Sequence, residues 1–196
     1  MARTKGFNEA EALEKAVALF WEKGYQATSA NDLVEHLGLS RSSLYATFGD
    51  KRSLYLSAIQ WYRKSVVTQT LAMIENSEDL RLTIAEIFNA ITKQDIGLSM
   101  PKGCFMVNSA IELAAHDPEM AQLIAANQQD IESAFVLAIE KGQAAGQLNT
   151  TFTAPALARF LYNHISGLRV LLRTQKDARK IDEMTQICLS VLRAST

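Results

Sequence analysis

The sequence predicts an all-α fold, with an N-terminal three-helix helix-turn-helix domain joined by a long helix to a C-terminal helical domain. Three observations predict it. Apolar residues recur at helical spacing along the chain, and no β-alternating stretch of useful length interrupts them. Only three prolines and nine glycines occur in 196 residues, too few for an all-β or low-complexity chain, while 48% hydrophobic content is ample for a buried core. Residues 28–51 read as two short helices broken by a tight turn.

The elements follow in order. Residues 1–7 form a short basic arm carrying Arg3 and Lys5, either an ordinary tail or a minor-groove or phosphate contact. Asn8, followed three residues later by Glu11, marks a helix start. Leu13, Ala16, Val17, Phe20 and Trp21 then make one apolar stripe that Gly24 ends, so Phe20 and Trp21 are core residues and not nucleic-acid stackers. Thr28 and Ser29 open the next helix, which carries Leu33, Val34 and Leu37 at helical spacing. Gly38 can take the left-handed backbone that a helix end often needs, Leu39 plugs the turn, and Ser40 caps a second helix. Leu44 and Phe48 carry the apolar face onward.

Two helices joined by a Gly-containing turn are the helix-turn-helix pattern, whose second helix enters the major groove. The second helix presents Arg41, Ser42, Ser43, Tyr45 and Thr47, all hydrogen-bond donors, with no carboxylate from Ser40 to Gly49. A solvated face usually mixes charges, whereas a face that meets phosphates cannot carry unpaired acids. Asp50 caps a further helix opening with Lys51 and Arg52, so backbone N–H groups and a lysine meet as a phosphate clamp. A packing hairpin with a polar outer face is the plainer alternative. Residues 28–64 hold five cations against three carboxylates while the net charge is −1, so DNA affinity needs a focused patch and two copies of it.

From Lys51 to about Ile74 no Pro or Gly occurs, which predicts one helix roughly 36 Å long at about 1.5 Å per residue. Such a helix links the first domain (residues 1–52) to a second (53–196), and Asn76-Ser77 breaks it. Further helices are predicted from Leu80 to Lys93, ending before Gly97 and Pro101, and from Gly103 to Ala115. Another starts at Asp117-Pro118 and is closed by Gly142 and Gly146. Thr153 and Pro155 open the next; two strongly amphipathic helices, about 154–173 and 178–193, end the chain.

Gly24-Tyr25, Thr28-Ser29, the run Gly38-Leu39-Ser40-Arg41-Ser42-Ser43-Leu44-Tyr45, then Phe48, Asp50-Lys51 and Leu54 together resemble the N-terminal domain of the TetR family of transcriptional regulators (TetR/AcrR-type). The likeness runs ungapped from about Glu11 to Leu56. One departure is Thr47, where the family often has His or Tyr before the Phe. The resemblance implies a DNA-binding regulator, a repressor that occupies a palindromic double-stranded operator and is released by a small molecule. Arg41, Ser42 and Ser43 are the candidates for base edges, Arg41 suiting guanine. Thr28, Ser29, Tyr45, Thr47 and Lys51 are the candidates for phosphates. It also implies a homodimer through the last two helices, with Gly167 allowing close approach, and an effector enclosed among the C-terminal helices. Candidate lining residues are Phe88, Phe105, Met106, Asn108, Ile111, Phe135 and Tyr162, each equally readable as plain core.

No catalytic constellation is visible, so no enzyme activity, cofactor or metal is expected. His36, His116 and His164 lack metal-ligand spacing, and neither a Gly-rich phosphate loop nor a nucleophile elbow occurs. Cys104 and Cys188 form no framework. Cys104 stands at a predicted helix start near Lys102, which favours a thiolate and an electrophile- or oxidant-sensing role; a small buried hydrophobe is the alternative. With no signal peptide and no apolar run of about eighteen residues, a soluble cytoplasmic protein is expected. An α-helical small-molecule binder with little DNA binding remains the reading from a different class.

Overall fold

The computed structural model describes residues 7–96, 102–174 and 177–194. Arg3, Lys5, Gly97 and Pro101 lie outside them. The first three helices are each bounded by a side-chain cap and a glycine. In α1 (Glu9–Lys23) Asn8 accepts from the Ala10 N–H and Gly24 closes the end. In α2 (Ala30–Leu37) Ser29 and Asp32 form a capping box, and Gly38 stops the helix at φ 68°. In α3 (Arg41–Phe48) the Ser40 hydroxyl accepts from the Ser43 N–H. These caps mark the turn between α2 and α3 locally, and Leu37, Leu39 and Leu44 pack it onto the core.

The fourth helix, α4 (Lys51–Tyr62), starts on Asp50 and drives Leu54, Tyr55, Ala58 and Ile59 into a core with Phe20, Leu33 and Leu44. That core does not stop at the N-terminal helices. Phe105 and Leu113 of α7 (Phe105–Leu113) and Met120 of α8 (Pro118–Ala144) belong to the same cluster.

The predicted single helix from Lys51 differs in one respect. After Tyr62 the backbone widens into a π-helical turn, Arg63–Val67, before α5 (Thr68–Glu75) resumes and ends at Asn76. Ser65 donates to the Trp61 carbonyl at 2.8 Å and Thr68 to that of Arg63 at 3.5 Å. Hydroxyls bonded back to helix carbonyls thus accompany the wider turn, as Ser57 does to Ser53 within regular α4.

A second core lies among α5, α6 (Leu80–Ile96), α8, α9 (Ala154–Leu171) and α10 (Ala178–Val191), with Ile84, Phe88, Phe135, Leu161 and Leu192 at its centre. Two boundaries differ from expectation. Cys104 and Gly103 are extended or left-handed, so α7 begins at Phe105 and not at Gly103. Gly142 does not close α8, which runs on to Ala144. There Leu148 folds back so tightly that a Cβ on Gly142 would meet its Cδ1 at 2.6 Å. The true turn is at Gly146, φ 70°. Among the described residues the sole strand-like feature is one isolated bridge, Leu148 with Arg193, and no helix is long and apolar enough to cross a membrane.

Candidate nucleic-acid interface and regulatory cavity

On the outer face of α3, Arg41 and Ser42 are exposed, and Ser43, Tyr45 and Thr47 are half-buried. Asn31 on α2 accepts from the Arg41 guanidinium at 3.2 Å, and the Ser42 and Ser43 hydroxyls gather at 3.0 and 2.8 Å around Ser40 Oγ. Two of the three acids in residues 28–64, Asp32 and Asp50, are occupied. Lys23 bonds Asp32 at 2.6 Å and, with Ser29, holds its carboxyl far below the usual range, while Asp50 accepts from the Ser53 N–H. The face is thus rich in donors and poor in free negative charge.

Lys51 rests over the Tyr25 ring, its Nζ 4.4 Å from the centroid, and burial lowers its pKa against the opposing pull of Glu112. Ser29 is exposed but engaged in its capping box. Thr28 is a correction. Its side chain is fully buried and donates to the Gly24 carbonyl at 2.6 Å, so its hydroxyl holds the turn and does not face outward.

This module is tied to the rest of the chain chiefly through α7. Glu112 accepts from the Tyr25 N–H at 2.9 Å and the Gln26 N–H at 2.7 Å, gripping the loop that also carries the Lys51 platform. The Ser109 hydroxyl donates to the Phe105 carbonyl, so it accepts from buried Tyr55 at 2.8 Å. The Trp21 indole donates to the Lys102 carbonyl. Arg52 makes a bidentate pair with Asp117, the cap of α8, both bonds 2.8 Å, and reaches Glu119 as well. That guanidinium holds the Asp117 carboxyl down to about 2. None of these ties was visible as a motif, because they join residues 54 to 87 positions apart.

Between α4, α7, α8 and α9 lies a hollow with about 610 Å³ of atom-free space, of which about 70 Å³ admits a water-sized guest. Its body is apolar, with Val67, Ile87, Ile131, Phe135 and Ile165. Tyr62, Cys104, Tyr162 and Arg169 supply polar groups, the Cys104 sulfur lying 3.9 Å from the Tyr62 hydroxyl. Burial raises the pKa of both phenols, so they remain donors at neutral pH. Burial pushes the other thiol, Cys188, up to about 12.

Of the sequence-derived lining candidates, Met106, Phe135 and Tyr162 meet at this hollow. The other four do not. Ile111 is 70% exposed, because its position on α7 faces away from both cores. Phe105 turns into the first core among Trp21, Tyr55 and Tyr62, and Phe88 packs on His164 in the second. Asn108 donates to the Lys102 carbonyl and accepts from Arg173 at 3.3 Å, so it ties a loop. Eleven of the hollow's fourteen lining residues were not among the lining candidates, Asn127 and Arg169 among them. Asn127 had a signal: it occupies the register of Ile131 and Phe135 along α8, four and eight positions on, where an apolar residue is the norm.

Comparison with known proteins agrees with this architecture. Residues 12–58 match the family described as bacterial regulatory proteins, tetR family, and residues 79–188 match the tetracyclin repressor-like C-terminal domain. The chain is 34% identical over 193 residues to the HTH-type transcriptional regulator YezE of Bacillus subtilis, covering 98% of this chain and 100% of that one. It is 29% identical to the transcriptional repressor ComR of Escherichia coli, covering 97% and 90%. The fold superposes on reduced E. coli NemR with a TM-score of 0.85 at 13% identity, covering 96% of this chain and all of that one. A cysteine-substituted CifR in complex with 26-bp operator DNA gives 0.84 at 22% identity, covering 97% and 100%. The matched residues take in both the capped helix-turn-helix and the bundle around the hollow, and the chain belongs to the TetR family of transcriptional regulators.

Proposed function

We propose that the chain is a homodimeric repressor that occupies a palindromic operator and leaves it when a small molecule enters the hollow. One observation carries the reading. The single helix α7 lines the hollow with Met106 and Val107, and grips the DNA-reading module with Ser109 and Glu112. A guest that shifts α7 therefore moves the loop beneath Lys51 without an intermediary. Arg41, Ser42 and Ser43 read base edges, Tyr45, Thr47 and Lys51 hold phosphates, and Ser29 lies beside them at the start of α2. Residues 1–52 form the DNA-binding unit and 53–196 the effector-binding and dimerising unit. The exposed Phe160 and Val170 on α9 and Ile187 on α10, with open space at Gly167, give the surface for a second copy. Dimerisation places two recognition helices on successive major grooves, which one helix alone cannot use.

Selection of bound fragments from sheared genomic DNA tests the reading. Wild type should recover one palindromic motif and an Arg41→Ala, Lys51→Ala double variant none. Equal, motif-free recovery by both would end the DNA assignment and leave an α-helical small-molecule binder.

A second input has its own support. The Cys104 sulfur lies in the wall of the hollow beside Tyr62, where a conjugated carbonyl compound that entered would add the sulfur at its β-carbon and the thiol proton at its α-carbon as the carbon–carbon π bond opens. Electrophile treatment should then release DNA from wild type and not from Cys104→Ser; equal release from both would remove this input.

A further inference from the structure

The hollow's chemistry is more specific than its existence. Asn127 is 2% exposed and its Oδ1 has no hydrogen-bond partner among the described residues. A buried amide oxygen left unpaired gives up its hydration without compensation, so it is retained against stability. It is the kind of atom that a guest's hydroxyl or N–H would satisfy. The charge is equally one-sided. Arg169 lines the hollow with no ion pair to a described residue, and no Asp or Glu is among the lining residues. With the protonated Tyr62 phenol beside it, Arg169 makes one end an array of donors, suited to an anionic oxygen. Most of the remaining wall is apolar, with Val67, Ile87, Met106, Val107, Ile131, Phe135 and Ile165. About 70 Å³ of usable space is less than the ~150 Å³ hole that takes benzene, so a guest must be thin or must part the walls.

We propose that the hollow takes a small planar aromatic carboxylate bearing a hydroxyl, with the carboxylate at Arg169 and the hydroxyl donating to Asn127 Oδ1. This rests on the reading of the chain as a ligand-released regulator and names the class of ligand. Neutral apolar compounds fill the body of the hollow but leave Arg169 unmatched. Carboxylates without a hydroxyl leave Asn127 unmatched. A ring wedged between α7 and α8 widens a space too small for it, which is the displacement that the grip on Tyr25 and Gln26 would transmit.

Calorimetry on the full chain without DNA tests the assignment, with para-hydroxybenzoate, its amide and benzoate as probes. Wild type should bind para-hydroxybenzoate at least tenfold more tightly than the amide. Arg169→Gln, a half-exposed position that does not endanger the fold, should erase that preference. Asn127→Leu, checked by its thermal melt, should melt no lower than wild type and lose the preference for para-hydroxybenzoate over benzoate. Absence of acid binding at millimolar concentration, or an acid preference that survives Arg169→Gln, overturns the proposal. Release is measured separately, by anisotropy on a recovered DNA fragment. An acid that binds through Arg169 yet leaves DNA bound upholds the ligand class and defeats the release mechanism.

Discussion

The helix-turn-helix module and the bundle behind it differ in how densely local signals fix their elements. In the module, local chemistry fixes each element: Asn8, Ser29, Ser40 and Asp50 start helices, and Gly24, Gly38 and Gly49 stop them, within fifty residues. In the bundle, Asp117, Thr153 and Asp177 also cap their helices, but the helices are longer and packing positions them, and a hollow with an unsatisfied amide survives at the junction. The reading surface has to be rigid and repeatable, so it is overdetermined locally. The sensing region has to yield, so it retains space and an unmet polar atom. The two meet on α7, which contributes Phe105 to one core and Met106 to the hollow in successive residues.

The sharpest test of local overdetermination is to remove its shared support. Phe20→Ala empties the centre of the first core and should destabilise the protein by about 3–5 kcal/mol, read by chemical denaturation. A loss below about 1 kcal/mol would mean that the caps alone hold the module. Next come the DNA contacts. Arg41→Ala should cost about 1–3 kcal/mol at particular base pairs and relax preference there. Lys51→Ala should weaken all sequences alike and reduce the salt slope by about 1. Even losses across sequences from both variants would refute the division of roles.

Uncoupling the two regions should have a subtler effect. Glu112→Ala removes the acceptor of two backbone N–H groups, and ligand-driven release should become several-fold less sensitive while melting changes modestly; unchanged sensitivity would take α7 out of the path. The smallest effect concerns acid. The folded Asp117 carboxyl titrates at about 2 against an ordinary value of 3.8, so its contribution is complete above about pH 4 and fades as pH falls toward 2. The melting difference between wild type and Asp117→Asn should shrink through that window, and a constant difference would mean that the Arg52 pair contributes nothing.

The same contrast explains what could be read in advance. A cap or a left-handed glycine declares itself within four residues, so the turn at Gly38 and the starts at Ser40 and Asp50 were legible. Thr28 was assigned to a phosphate through the family resemblance, which does not show that its hydroxyl is taken up by the Gly24 carbonyl on the inside of the turn. Lining residues were harder, since Phe88, Phe105 and Phe135 share one chemistry and only tertiary packing decides which core each enters. Glu112 offered no local sign at all; its partners are two backbone N–H groups, which have no sequence identity.

The wide turn at Arg63–Val67 sets the phase of the whole molecule. Successive residues of a regular helix are spaced about 100° around its axis, so inserting or deleting one resets everything beyond it by that angle. The DNA-reading half of the connecting helix and its sensing half are therefore clocked against each other by a single residue's worth of backbone. Restoring a regular helix over these five residues at unchanged length would swing the recognition face by roughly 100° relative to the bundle, whereas removing one residue at the same time would return the two halves nearly to phase. Length and hydrogen-bond register at this joint thus act together: either one changed alone shifts the phase, and the two changed together preserve it.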